Sequence, residues 1–228
     1  EEKHGDLSFE QDGCIEIHGS GSKGVGIGSG LGGNINIAGG KYVIELMGEE
    51  GVAIGSITGS TEMDIKTCNL DLNLSSSITV AVGSIKGNVK VSILHILFQA
   101  FLGGNESVGI GSLKGDDSDV FIENSNINLN IRASKLCGIG SGTGNSSVRL
   151  LDAGFVIAIQ GKECISLGNF TRTGKVNIHN CDLVTRIKSA LDYDMGAEED
   201  NINISNGRCY FNLNGEEITR TITQIKHS

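Results

Sequence analysis

The chain has 228 residues and a formal net charge of −9, with 18 Lys and Arg against 27 Asp and Glu. Sparse cations disfavour a nucleic-acid partner, whose affinity comes mainly from clustered Lys and Arg, whereas 38% apolar content suffices for a sizeable core. No apolar run approaches the ~18–20 residues of a membrane helix; the nearest, Val91 to Leu102, is interrupted by Ser92, His95 and Gln99, so no membrane insertion is expected.

In chain order, the first signals are Leu7/Phe9 and Ile15/Ile17, alternating pairs that predict a partial first coil within residues 1–23. From residue 24 a glycine phrase recurs: Gly-Ile-Gly-Ser at 26–29, Ala-Ile-Gly-Ser at 53–56, Ala-Val-Gly-Ser at 81–84, Gly-Ile-Gly-Ser at 109–112 and 138–141, Ser-Leu-Gly-Asn at 166–169, and a degraded Asp-Met-Gly-Ala at 194–197. The central glycines, from Gly28 to Gly196, are 27, 28, 28, 29, 28 and 28 residues apart. A fixed period in this range signifies stacked units.

Outside the phrase, apolar residues alternate with period two, the signature of strands with one buried face. Each unit holds three such runs. In the second unit these are Val52/Ile54, Met63/Ile65 and Leu70/Leu72/Leu74; in the third, Val80/Val82, Val89/Val91 and Ile96/Phe98/Ala100. The third run starts five residues after the second ends in every unit. Six residues separate it from the next first run, except between Ala100 and Val108, where Gly103-Gly104 reads as an insertion. Such registration predicts an all-β fold: a single-stranded, three-sided parallel β-helix of about seven coils of ~28 residues. Right-handedness is expected because parallel crossovers nearly always are. The repeats fill 24–215, and the alternating residues within 216–228 predict a closing strand or cap.

On this register, the residue between the two inward positions of the first run points outward. It reads Gly26, Ala53, Ala81, Gly109 and Gly138, a bare strip able to take a flat ligand or another copy of the chain. Equally, the phrase reads as a tight corner that needs glycine for positive φ and close backbone stacking. Lys90, Phe121 and Arg149 are expected on the outward face of successive second strands, a basic and aromatic platform for a sugar. Asp116, Asp117 and Asp119 beside them are the candidate ligands for a hard cation such as Ca2+; no other cofactor is expected.

The five histidines form no metal-ligand spacing. The run from Gly24 to Ser29 approaches a dinucleotide fingerprint but is followed by strand signals, not by a helix. Of six cysteines, Cys68 and Cys181 share a corner four turns apart, beyond disulfide reach, and Cys137 and Cys164 face opposite ways. Free thiols fit a reducing compartment, although Asn73, Asn105, Asn145, Asn169 and Asn203 begin N-x-S/T sequons.

Residues 24–40, Gly-Val-Gly-Ile-Gly-Ser-Gly-Leu-Gly-Gly-Asn-Ile-Asn-Ile-Ala-Gly-Gly, resemble the Gly-Ile-Gly repeat of β-helical surface and adhesin-like proteins. The resemblance covers roughly 24–205 and is sharpest in the first, fourth and fifth turns. It implies a non-catalytic binding or display module at an extracellular or cell-surface location, engaged in adhesion, contact with a polysaccharide or protein surface, or assembly. Two alternatives stand beside it. One is a polysaccharide-active enzyme with its site over Lys90, Phe121 and Arg149; Asp116, Asp117, Asp119 and Arg149 loosely match the acid-and-base arrangement of pectate-lyase-like β-helices. The other is a cytoplasmic sensory or scaffold module attached to a further domain.

Overall fold

The computed structural model describes residues 6–198 and 201–220, with the side chains of 190–194 and 217–220 excepted. Among the described residues there is no helix. The chain winds as a parallel β-helix of about seven turns, about 28 residues each. One hydrogen-bonded sheet, A, stacks eight short strands: β1 (Leu7–Glu10), β3 (Gly33–Ala38), β5 (Thr61–Lys66), β7 (Val89–Leu94), β9 (Asp117–Glu123), β11 (Asn145–Leu151), β13 (Lys175–His179) and β15 (Ile202–Ser205). The other, B, stacks long bent strands, β2 (Cys14–Ser29), β4 (Lys41–Thr58), β6 (Asn69–Lys86), β8 (Leu97–Ser112), β10 (Asn126–Ser141), β12 (Gly154–Asn169) and β14 (Asp182–Gly196), followed by the short β16 (Arg208–Leu213). Each long strand carries a third run, a corner and the next first run, so two sides of the coil share one ladder.

Inward residues form aliphatic columns such as Ile44, Leu72, Ala100, Leu129 and Ile157, all fully buried. Burial of one such side chain contributes about 1.5–3 kcal/mol, and each turn needs neighbours to cover its hydrogen-bonding edges. At the start, β1 and β2 add Leu7, Phe9, Ile15 and Ile17 to these columns, in register with Ile35, Ile37, Tyr42 and Ile44. At the far end, β17 (Glu216–Arg220) folds back antiparallel on β16 through Asn214-Gly215 and covers that edge of sheet B. Residues 221–228 of the expected cap lie outside the described residues.

The third unit corrects the sequence register. Hydrogen bonding pairs Val91 with Met63 and Ile93 with Ile65, and it pairs Phe98, Ala100 and Leu102 with Leu70, Leu72 and Leu74. Both runs therefore sit two residues later than expected. With that shift Leu102 is six residues before Val108, like every other unit, and Gly103-Gly104 is no insertion: Gly103 lies opposite Ser75.

The first run is corrected as well. Residues 51–57 are buried throughout, so both faces of this segment are covered. Ladder pairing skips the Gly26/Ala53 position, joining Val25 to Val52 and Ile27 to Ile54, and the positive φ of Gly28 and Gly55 turns the chain again. Ile54 and Ala53 face the main core, whereas Val52 faces a second one built from Val52, Val80, Val108, Cys137 and Ile165 against Ile57, Ile85 and Leu113. The segment is thus a fold in the wall whose flanks close on each other. Glu106 and Lys114 pair at 2.6 Å beside this second core, and Lys135 Nζ sits 4.6 Å over the Phe170 ring.

Corners between sheets A and B stack residues in the left-handed region: Gly39, Thr67, His95, Asn124, Asp152, Asn180 and Asn206. Asn and Asp tolerate this region, but a β-branched residue is strained there. Thr67, exposed at φ 53°, is the outlier. Thr67→Asn is expected to raise stability by about 1 kcal/mol, read as a melting temperature higher by about 2–4 °C.

Candidate functional site

At the other corner, the serine of the glycine phrase points inward and ties the loop. Ser56 Oγ lies 3.1 Å from the Gly59 carbonyl oxygen, 2.7 Å from Thr61 Oγ1 and 3.1 Å from Ser84 Oγ. Ser112 donates to the Gly87 carbonyl at 2.7 Å. Asn169 replaces serine in the sixth phrase, and its amide donates to Gly144 O and to Thr173 Oγ1 while its Oδ1 accepts from Gly174 N. Buried backbone carbonyls at a turn require such donors. These bonds fix the loops that lead into sheet A and so set the outward side chains of its strands.

Outward residues of sheet A form axial columns. One reads Asn34, Glu62, Lys90, Asp119, Ser147 and Lys175; the next reads Asn36, Asp64, Ser92, Phe121, Arg149 and Asn177. The expected row of Lys90, Phe121 and Arg149 therefore splits. Phe121 and Arg149 are neighbours in one column, while Lys90 belongs to the other, because the third unit is registered two residues later than the sequence suggested. The three still border one surface: a hollow of about 500 Å³ is lined by Lys90, Phe121, Arg149, Glu62 and Asp64 among others.

Charges on this surface are paired. Lys90 Nζ lies 2.6 Å from Glu62 Oε1, and Arg149 Nη2 lies 3.2 Å from Asp119 Oδ2. The hydrogen bond that Lys90 donates to Glu62, and then the negative charge of Glu62, hold the Lys90 ammonium above its ordinary range, with a smaller push from Asp119. The Arg149 guanidinium also stands 5.4 Å from the centre of the Phe121 ring, a cation–π distance, so one part of the expected sugar platform is already engaged by the chain itself. Such exposed pairs contribute little to stability; their effect is to fix where hydrogen-bonding groups stand.

Beside them runs a groove of about 1230 Å³. The whole column from Asn34 to Lys175 lines it, together with Asn88, Asp117, Asn145 and Thr173 from the adjoining corner. Those corner residues form their own ladder: Asn88 Oδ1 accepts from the backbone N–H groups of Asp116 and Asp117, Asn145 donates to Asp117 at 3.4 Å, and Thr173 donates to Asn145 at 3.1 Å. With strands about 4.8 Å apart, the column from Asn34 to Lys175 spans about 24 Å. Glu62, Asn88, Asn145, Thr173 and Lys175 escaped sequence reasoning. Their polar character was visible, but their alignment depends on a corner of variable length.

The acidic trio does not converge. Asp119 is committed to Arg149, Asp117 accepts from Asn145, and Asp116 stands at the loop with its N–H on Asn88. No group of three His, Cys, Asp or Glu side chains placed to hold a metal ion occurs among the described residues. The bare strip is also corrected: Ala53 and Ala81 are fully buried in the main core, and Gly26, Gly109 and Gly138 are half-buried or buried. A Cβ on Gly26 would lie 2.7 Å from Ile44 Cγ2, and one on Gly109 would lie 2.9 Å from Leu129 Cδ1. Small residues are required there by the opposite wall, and the strip presents no surface to a partner.

Cysteine chemistry offers no second site. None of the six cysteines is joined in a disulfide, only Cys14 is exposed, and burial pushes Cys68, Cys137 and Cys209 up from 9.0 to about 12. Between those values the folded chain keeps protons that the unfolded chain has lost. The stabilisation is therefore full below pH 9 and disappears as pH rises through about 12. Melting temperature is expected to fall steadily above pH 9, and Cys137→Val should flatten that slope in thermal melts at pH 8, 10 and 11.

No protein-family model, curated protein or solved structure matches the chain. Among the described residues no helix is long and apolar enough to cross a membrane.

Proposed function

We propose that the protein is a non-catalytic binding and display module whose sheet A takes a linear polar chain, a polysaccharide first, lengthwise in the axial groove. The observation that carries this reading is the alignment of amide, hydroxyl, ammonium and carboxylate groups at successive rungs of one groove. A repeating ligand needs repeating partners, and a stacked coil supplies them without moving parts. Extracellular or cell-surface display belongs to the same reading.

An enzymatic reading has less support. Glu62 and Asp119 each face a cation, not each other. His179 Nδ1 does lie 2.8 Å from Ser205 Oγ, a nucleophile–base distance, but neither residue lines either sheet A groove. A glycan array run beside reducing-sugar and unsaturated-product assays tests the proposal. Binding weakened about tenfold by Lys90→Ala with Arg149→Ala, without product formation, supports it. Binding unaffected by those changes, or turnover that Arg149→Ala abolishes, overturns it.

A further inference from the structure

The outer face of sheet B is electrically bipolar. Toward its first turns Glu16, Glu45 and Asp71 outnumber Lys41; toward its last Arg132, Arg186, Lys188 and Arg208 outnumber Asp182, with Lys162 at the adjoining corner. Arg132, Lys162, Arg186 and Lys188 border two hollows whose linings contain no acid. None of the four is held in an ion pair among the described residues. The same face carries five of the six exposed large hydrophobic residues described: Met47, Leu97, Phe101, Val156 and Tyr210. Apolar surface gathered on one face of an otherwise acidic chain marks an interaction surface.

We propose that this face pairs with the same face of a second copy, the two coils antiparallel, about a twofold axis that runs along the strands between β8 and β10. The strand order from β2 to β16 makes the consequence explicit: such an axis places β4 over β14 and keeps every column on itself. Lys41 then meets Asp182, which Arg208 also contacts within the chain, Val43 meets Val184, and Glu45, beside His18, meets Arg186, each contact occurring twice. Like meets unlike in both charged pairs and apolar meets apolar between them, as an isologous interface requires. Leu97, which is 55% exposed, is brought over Asn126 of β10, and both residues line the hollow of about 550 Å³ that continues to Val156 and Val184. Four outward columns on eight strands cover about 20 Å by about 34 Å, or about 700 Å² per copy, close to the roughly 800 Å² a partner typical of stable interfaces.

Sedimentation of the full chain tests the pairing. The parent is expected to sediment as a dimer that weakens with salt. Glu45→Arg and Arg186→Glu, each of which sets like charges opposite one another twice, should raise the dissociation constant by about tenfold or more. An equimolar mixture of the two variants should restore the dimer, because each reversed residue then meets its complement. Lys41→Glu mixed with Asp182→Lys repeats the test should either first variant fail to show the parent's circular dichroism. A parent that stays monomeric at about 100 µM, or folded variants that do not recombine on mixing, overturns the proposal.

Discussion

Gly83→Ala is expected to be a severely damaging small substitution, costing about 4 kcal/mol or more. Gly83 stands at φ 145°, outside the range an L side chain adopts readily, and a Cβ there would overlap the Gly111 carbonyl oxygen of the next turn. The obstacle is backbone within a hydrogen-bonded ladder, so relief requires prising β6 from β8 along a stretch where Val82/Ile110, Gly83/Gly111 and Ser84/Ser112 are paired. Losses of this size are exceptional for single substitutions and need a named cause; strain together with backbone overlap supplies it. For a chain of this length the melting temperature should fall by about 8–16 °C. Gly168→Ala should cost less, since its Cβ would stop 2.5 Å from the Gly196 oxygen. Gly30→Ala, with no atom within 4 Å, should be close to neutral. Calorimetry on the three variants checks the order; equal melting temperatures would refute the glycine ladder.

Gly109→Leu should cost about 3 kcal/mol, and it distinguishes an inward strip from an outward one. Its Cβ would overlap the Gly138 carbonyl oxygen and lie 2.9 Å from Leu129 Cδ1, so the rest of the side chain would have to enter a filled core. Overpacking of this kind costs about 1–3 kcal/mol, occasionally more, and the backbone contact places this site at the upper end. The companion Ala53→Gly should lose about 1 kcal/mol, because a methyl group fully buried in the main core is removed. On an exposed strip, both changes would lie within about 0.5 kcal/mol of the parent. Chemical denaturation with a fitted midpoint decides between the two.

Binding consequences follow from the same geometry. Glu62, Lys90 and Asp119 of the sheet A groove stand in ion pairs, so a neutral polar ligand there loses little when salt is added, whereas the face of sheet B carries at one end cations held in no ion pair among the described residues and responds strongly. A glycan interaction that persists in salt while the oligomer dissociates would separate the two surfaces in one experiment.

The period, the three runs per turn and their parallel stacking are legible in spacing and alternation alone, and the glycine phrase reads there equally as a tight corner or a bare strip. Contacts between turns settle which way the first run faces, how the third unit is registered and that Gly28 turns the chain at positive φ. Alternation assumes a strand with one buried side, but the skipped pairing at Ala53 and the positive φ of Gly55 break the rhythm, so Val52, Ala53 and Ile54 are all buried, in two different cores. A slip of two residues leaves inward and outward parity unchanged, so Val89, Val91 and Ile93 fit the pattern in either register. Hydrogen bonds to the neighbouring turns select one, and with it the place of Lys90 beside Glu62 and Asp119.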